Sequence, residues 1–434
     1  MHSLDDLRSG ALKGARRVKL SGLSTFPDAL YDLADTLEVL DLGGNALTAL
    51  PDDFARLHRL KILFCSGNPF EVLPPVLGQC EALEMVGFKS CRIAEVPAEA
   101  LTPKLRWLIL TDNRVEALPE RMGECPALQK LMLAGNRLRA LPEAMQDCRA
   151  LELMRLAAND FETLPPWLIT LPRLSWLALS GNPATAAAEQ AMARAEVANV
   201  DWSALSPGEV LGEGASGTTR LAHLRQDGVS REVAVKIFKG AITSDGLPRS
   251  EMAACVAAGR HEGLIPVLGR VSGHPEGREA LVMERIASNW RVLAGPPDFD
   301  TCTRDVYAPE ARFDSETVHG IARTIASAAA HLHRAGILHG DLYAHNILHN
   351  GHGRACLGDF GAASAYDPTD RARGEALQRL EVRAFGCLLE ELLGRGEVSG
   401  DEGATLSGLA QACLNPRPAE RPLFSEIEEV LGLP

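Results

Sequence analysis

The sequence predicts two domains in series: an α/β solenoid of stacked repeats, then a domain mixing strands and helices. Three observations carry this. Prolines at 27, 51, 74, 97, 119, 142 and 165 are spaced by 24, 23, 23, 22, 23 and 23 residues. A glycine triplet, Gly212, Gly214 and Gly217, opens the second half and is followed by an apolar strand carrying one lysine, Lys236. Two stretches near the C-terminus, His339-Gly-Asp-Leu-Tyr-Ala-His-Asn346 and Gly358-Asp-Phe-Gly361, bring Asp341, Asn346 and Asp359 close together in the chain.

Each part of the first half follows from the repeat. Six residues before each proline lies Ser21, Asn45, Asn68, Cys91, Asn113, Asn136 or Asn159, and Asn182 adds one more slot. One unit reads Leu37-x-x-Leu40-x-Leu42-x-x-Asn45-x-Leu47-x-x-Leu50-Pro51. Leucines at period two make a short strand with one face in the core. The asparagine amide can satisfy backbone groups where the chain leaves that strand, and Leu-Pro starts an irregular or helical return. No unit buries its apolar face alone, so the units must stack and the ends need caps. This pattern resembles the leucine-rich repeat over residues 16–184. The resemblance implies a horseshoe solenoid, with residues 1–15 as its N-terminal cap and the alanine-rich 185–204 as cap and linker. Its concave strand face should be solvated, yet it carries Phe64, Trp107, Ile109, Met132 and Trp176. Scattered apolar residues on a β-face are ordinary; read as a patch they mark a contact surface, for a protein partner or for the chain's own second domain.

Composition narrows the class. The chain has 434 residues, 46% hydrophobic and 23% charged, as in water-soluble globular proteins. No apolar run approaches the roughly 18 residues of a membrane helix, and the N-terminus lacks the pattern of a secretory signal. A net charge of −13, from 57 acidic and 44 basic residues, argues against nucleic-acid and anionic-membrane partners. Cys80, Cys125 and Cys148 recur at one slot of the repeat, each three residues before a leucine, which is a packing position. With no C-x-x-C pair, a zinc site is not expected, and a reducing, cytoplasmic setting fits.

The second half, 205–434, holds the chemistry. Glycines at the 212, 214 and 217 spacing let a hairpin approach phosphates closely. A lysine in an apolar strand is costly unless paired, and Glu251, on the following helical segment, is the natural partner of Lys236. Asp341, Asn346 and Asp359 are the residue types that phosphoryl transfer from a metal-bound nucleotide requires. The set of motifs, in this order, resembles the protein kinase superfamily, which implies a bilobal α+β fold. Residue by residue, the resemblance implies that Leu211, Gly212, Gly214, Gly217 and Thr219 cover ATP, that Ala234 lines the adenine pocket, and that Lys236 binds phosphates. Leu281-Val-Met-Glu-Arg-Ile286 looks like the hinge, with Met283 as gatekeeper and the Glu284 and Ile286 backbone meeting adenine. Asp341 would be the base, Asn346 and Asp359 the Mg2+ ligands, and Arg421 structural.

The same stretches depart from the family pattern. Gly340 stands where many kinases have arginine, and Tyr343 where serine/threonine kinases have lysine. Only 21 residues separate Asp359 from Glu381, and no A-P-E motif lies among them, so the segment that seats a peptide is short. Arg421 thereby loses its usual glutamate, with Glu375 a stand-in. His331, His333, His345 and His349 are expected on surfaces around the catalytic loop. The function these features favour is ATP- and Mg2+-dependent transfer to a protein hydroxyl, serine or threonine before tyrosine, with the repeats binding protein. The alternatives are a pseudokinase scaffold and a small-molecule phosphotransferase.

Overall fold

A computed structural model describes residues 2–214, 216–226, 228–240 and 242–433. Met1, Pro434 and Ala215 of the glycine loop lie outside them. The chain divides into two compact units, Met1–Arg173 and Leu174–Pro434.

In the first unit, helix α1 (Leu4–Arg8) is capped by Ser3, whose hydroxyl accepts the Asp6 N–H while the Asp6 carboxylate answers the Ser3 N–H. Seven short parallel strands follow, from Arg17–Lys19 to Leu153–Arg155, each paired in register with the next. Their middle residues, Val18, Leu40, Leu63, Val86, Leu108, Leu131 and Met154, are buried and stack into one core. The repeat proline precedes a turn of 3-10 helix, as at Pro75–Gln79, Glu120–Glu124 and Glu143–Asp147.

The asparagines bridge neighbouring repeats. Asn136 Nδ2 donates to Leu133 O of its own repeat (2.9 Å) and to Leu110 O of the preceding one (2.8 Å), while its Oδ1 accepts the Val115 N–H (2.9 Å). Asn68, Asn113 and Asn159 do the same. Cys91 keeps only the weaker version, a thiol on Cys65 O at 3.5 Å. On the strand face that the sequence reading leaves to solvent, Phe64, Trp107, Ile109 and Met132 are partly exposed, whereas Met85 and Arg155 are buried.

The second unit starts with the strand of the eighth repeat, Trp176–Ala178, and helix α2 (Ala186–Met192). Asn199–Asp201, inside the stretch read as cap and linker, is a strand. It adds in parallel to the edge of a six-stranded sheet, next to Val267–Ser272. The rest of that sheet is antiparallel: Leu205–Glu213, Gly217–Gln226, Val229–Phe238 and Ala280–Glu284. Helix α3 (Pro248–Ala257) packs on it through Met252 and Val256, against Phe238 and Leu281.

The remainder is mostly helical. Helix α4 (Ser315–Arg334) is capped by Asp314, whose carboxylate accepts the Thr317 N–H (2.8 Å). It buries Val318, Ile321, Ile325, Ala329 and Leu332 at helical spacing. Helices α5 (Arg371–Leu393), α6 (Gly400–Cys413) and α7 (Phe424–Val430) complete this part. Two antiparallel pairings, Ile337–Leu338 with Ser364–Ala365 and Ile347–His349 with Ala355–Leu357, hold the loops 339–346 and 358–363 side by side.

Candidate active site

The two loops meet the sheet at a cavity of about 630 Å3. Its lining includes Leu211, Gly212, Gly214, Gly217, Thr219, Ala234, Lys236, Glu251, Met283, Glu284, Ile286, Asn346 and Asp359. Strand periodicity explains the wall. Ala234 and Lys236 are two apart and share a face, with Thr219 beside Lys236 and Met283 beside Ala234 in register. Asp341 is tied to this set through Asn346, whose Nδ2 donates to Asp341 O and to Asp341 Oδ2, each at 2.9 Å.

Lys236 Nζ and Glu251 Oε1 form a buried ion pair, the glutamate almost wholly enclosed. Burial opposes the ammonium charge, but the Glu251 and Asp359 carboxylates outweigh it and raise the lysine pKa, so Lys236 stays a cation. Asp359 has left-handed backbone (φ +53°), which aspartate tolerates, and its Oδ1 accepts the Gly361 N–H at 3.1 Å.

Asn346 and Asp359 offer hard oxygen donors. Among the described residues no cluster of three or more His, Cys, Asp or Glu could hold a metal. A two-ligand oxygen set completed by phosphate oxygens and water suits a small divalent cation such as Mg2+, and the residues present therefore fit one.

The loop carrying Asp341 is fastened from below by Glu381 of α5. Its carboxylate accepts the Gly340 N–H (2.6 Å) and the His339 N–H (3.2 Å), and pairs with His333 Nε2 (2.7 Å). Burial pushes the Glu381 pKa up, yet His333 and these N–H donors outweigh it and hold it below the ordinary value. His339 is buried, its Nε2 on Gly358 O at 2.9 Å, which locks the two loops together. The expectation of surface histidines is corrected here: His333 and His349 are buried, because α4 and the strand Ile347–His349 turn them inward.

The sequence reading left His345 on a surface and passed over Asp305. His345 lines the cavity, and Asp305 accepts both its N–H (3.0 Å) and its ring Nδ1–H (2.7 Å). Burial disfavours the charged ring, but the Asp305 bond and charge outweigh it and raise the His345 pKa. No periodicity marked Asp305. Leu348, Leu264 and Leu357 are among the apolar residues of the wall, and Leu348 was within reach as the centre of the strand after Asn346.

Arg421 is buried and donates to Asn415 O (2.9 Å) and Arg379 O (3.0 Å). Glu375 pairs with Arg371 and Arg379, and Arg379 in turn donates to Arg421 O (3.1 Å).

Comparison with known proteins agrees with the two-part geometry. Residues 205–385 match the family model of protein tyrosine and serine/threonine kinases, and residues 103–161 and 36–57 match leucine rich repeat models. The bovine phosphorylase b kinase gamma catalytic chain, liver/testis isoform, is 27% identical over 184 residues, which are 40% of this chain and 43% of that one. The mouse leucine-rich repeat and calponin homology domain-containing protein 1 is 29% identical over 124 residues, 28% of this chain and 17% of the relative. The rat PH domain leucine-rich repeat protein phosphatase 1 is 30% identical over 126 residues, 28% of this chain and 7% of the relative. The chain thus spans less than half the length of each of these relatives. Among the described residues, no helix is long and apolar enough to cross a membrane.

Proposed function

We propose that this chain, which carries a protein kinase domain at residues 205–385 and leucine-rich repeats before it, transfers the γ-phosphoryl group of ATP to a protein hydroxyl, with Mg2+ as the metal. The observation that carries this reading is the convergence on one cavity of the Lys236–Glu251 pair, Asn346 and Asp359, with Asp341 hydrogen-bonded to Asn346.

The roles follow from the chemistry of each group. Lys236, kept cationic by two carboxylates, binds phosphate oxygens. The hairpin glycines admit the nucleotide close to the backbone. Asn346 and Asp359 would hold the metal, which when bound neutralises charge on the phosphates. Asp341 accepts the proton of the acceptor hydroxyl. The acceptor oxygen bonds to the γ-phosphorus as the bond from that phosphorus to the bridging oxygen breaks, and ADP leaves with those electrons. Tyr343 carries no charge for the transferred group, so on the protein's side that stabilisation falls to Lys236.

The acceptor we propose is a serine or threonine hydroxyl of a protein, with the repeats as the protein-binding part and the cytoplasm as the setting. The expected domain limits are 16–184 for the repeats and 205–434 for the kinase domain. The test is incubation of the full chain with labelled ATP and Mg2+, beside Asp341→Asn and Lys236→Ala, followed by phosphoamino-acid analysis. Label on serine or threonine, lost in both variants, is the expected result. Nucleotide binding without transfer would leave a pseudokinase scaffold. Transfer to small hydroxylated compounds alone would leave a small-molecule phosphotransferase.

A further inference from the structure

The strand of the last repeat lies against the candidate catalytic loop. Trp176 is 1% exposed, and its indole stacks on the Tyr343 ring with centroids 4.1 Å apart and planes 8° from parallel. Its Nε1–H donates to Leu342 O at 3.1 Å, the carbonyl of the residue directly after Asp341. Tyr343 is itself 4.9 Å, ring to ring, from His345, which Asp305 anchors. The loop 341–346 is therefore gripped at Tyr343 by the indole and at His345 by a carboxylate.

The neighbouring residues of the strand make further contacts. The Leu179 N–H donates to Ser364 Oγ (2.7 Å), beside the loop that carries Asp359. Arg383 donates to Ser175 Oγ (2.8 Å), half a turn of α5 beyond Glu381. A Cβ added to Gly340 would lie 2.8 Å from Leu177 O and 2.5 Å from Ala362 O, and the backbone there is left-handed (φ +73°). A side chain at 340 has no room, so the glycine in the arginine position is a requirement of this packing.

We propose that Trp176 is a positioning residue for phosphoryl transfer: acting through Tyr343 and the Leu342 carbonyl, it fixes the place of Asp341. The strand Ser175–Leu179 is then a working part of the kinase domain, although its sequence belongs to the repeats. This rests on the phosphotransfer reading above. Stacking and one aimed hydrogen bond suit the role, because a base displaced by about 1 Å loses up to roughly 100-fold in rate.

The experiment uses the full chain as wild type, Trp176→Leu and Trp176→Phe, with steady-state kinetics and amide hydrogen exchange. Trp176→Leu is expected to lower kcat by roughly tenfold or more while KM for ATP stays within about twofold, a loss confined to the transition state. Exchange should quicken in 339–346 and 362–365 only. Trp176→Phe keeps a stacked ring and should recover most of kcat. A folded Trp176→Leu with wild-type kcat overturns the proposal. So does exchange that quickens throughout Leu174–Pro434, with no recovery in the phenylalanine variant, since that is loss of packing alone. If the wild type transfers no phosphate, the phosphotransfer reading fails separately. The loop exchange then decides the positioning role, and unchanged exchange in Trp176→Leu overturns it too.

Discussion

Asn113, in the repeat unit, and Asn346, in the kinase domain, each sit just beyond or before a short strand and each give Nδ2 to main-chain carbonyls. Asn113 donates to Phe88 O (2.8 Å) and Leu110 O (3.0 Å), and its Oδ1 accepts the Ile93 N–H (3.0 Å). Asn346 donates to Asp341 O and Asp341 Oδ2 and lines the cavity, and among the described residues no donor meets its Oδ1. The first amide is spent within the fold. The second keeps an acceptor in hand, beside a carboxylate. The difference teaches that a polar side chain with valence left over at a cavity wall is where chemistry is to be sought, even when its residue type repeats many times elsewhere.

The contrast can be broken from either side. Asn346→Ala should cost the most activity, roughly 100- to 1,000-fold in kcat/KM, if Asn346 is the metal ligand proposed above, a contact worth several kcal/mol. Its thermal midpoint should move little, and calorimetry beside the kinetics checks both. Glu381 is the kinase domain's own version of a fully spent side chain. Glu381→Gln should destabilise the second unit by about 3 kcal/mol in urea titrations, since the buried carboxylate that takes the His339 and Gly340 N–H groups is lost. The Glu381 pKa lies below its ordinary 4.5 in the folded chain. Its contribution is therefore whole above pH about 4.5 and lost as pH falls through the depressed value. The glutamine variant should lack that acid-side slope.

Asn113→Ala should destabilise the repeats by about 2–3 kcal/mol, by stranding the Ile93 N–H and two carbonyls, and leave kcat within about twofold. The smallest effect runs the other way. Cys91→Asn should restore the amide bridge that a thiol now makes weakly, and add up to about 1 kcal/mol, read as a rise in urea midpoint.

Much of this contrast was legible in the sequence because it is local. The repeat period announces Asn45 to Asn182 as equivalent slots, and strand alternation puts Ala234 and Lys236 on one face. Motif order led to Asn346 and Asp359, which line one cavity, and to Asp341, which Asn346 holds by hydrogen bonds. What escaped depends on contacts between distant segments. Trp176 reads as one more residue on the repeats' open face, yet its partner Tyr343 comes from the far end of the chain. Glu381 reads as a helix residue, and only the folded chain aims it at Gly340 N–H. His333 looks like a polar residue on a helix surface until α4 turns it toward Glu381. Pattern reports which face of an element is apolar. It does not report which segment arrives to cover that face.

The edge strand Asn199–Asp201 bears on how the six-stranded sheet is kept from pairing with other chains. It occupies the outer backbone groups of Arg270–Ser272, and the Arg270 N–H also donates to Ala198 O at 2.8 Å. A truncation beginning at residue 205 would strip that cover and offer a bare sheet edge to other copies of the chain. Such a fragment should self-associate at concentrations where the whole chain stays monodisperse, and light scattering would register it. The few residues ahead of the kinase domain thus act as a guard against strand-to-strand aggregation.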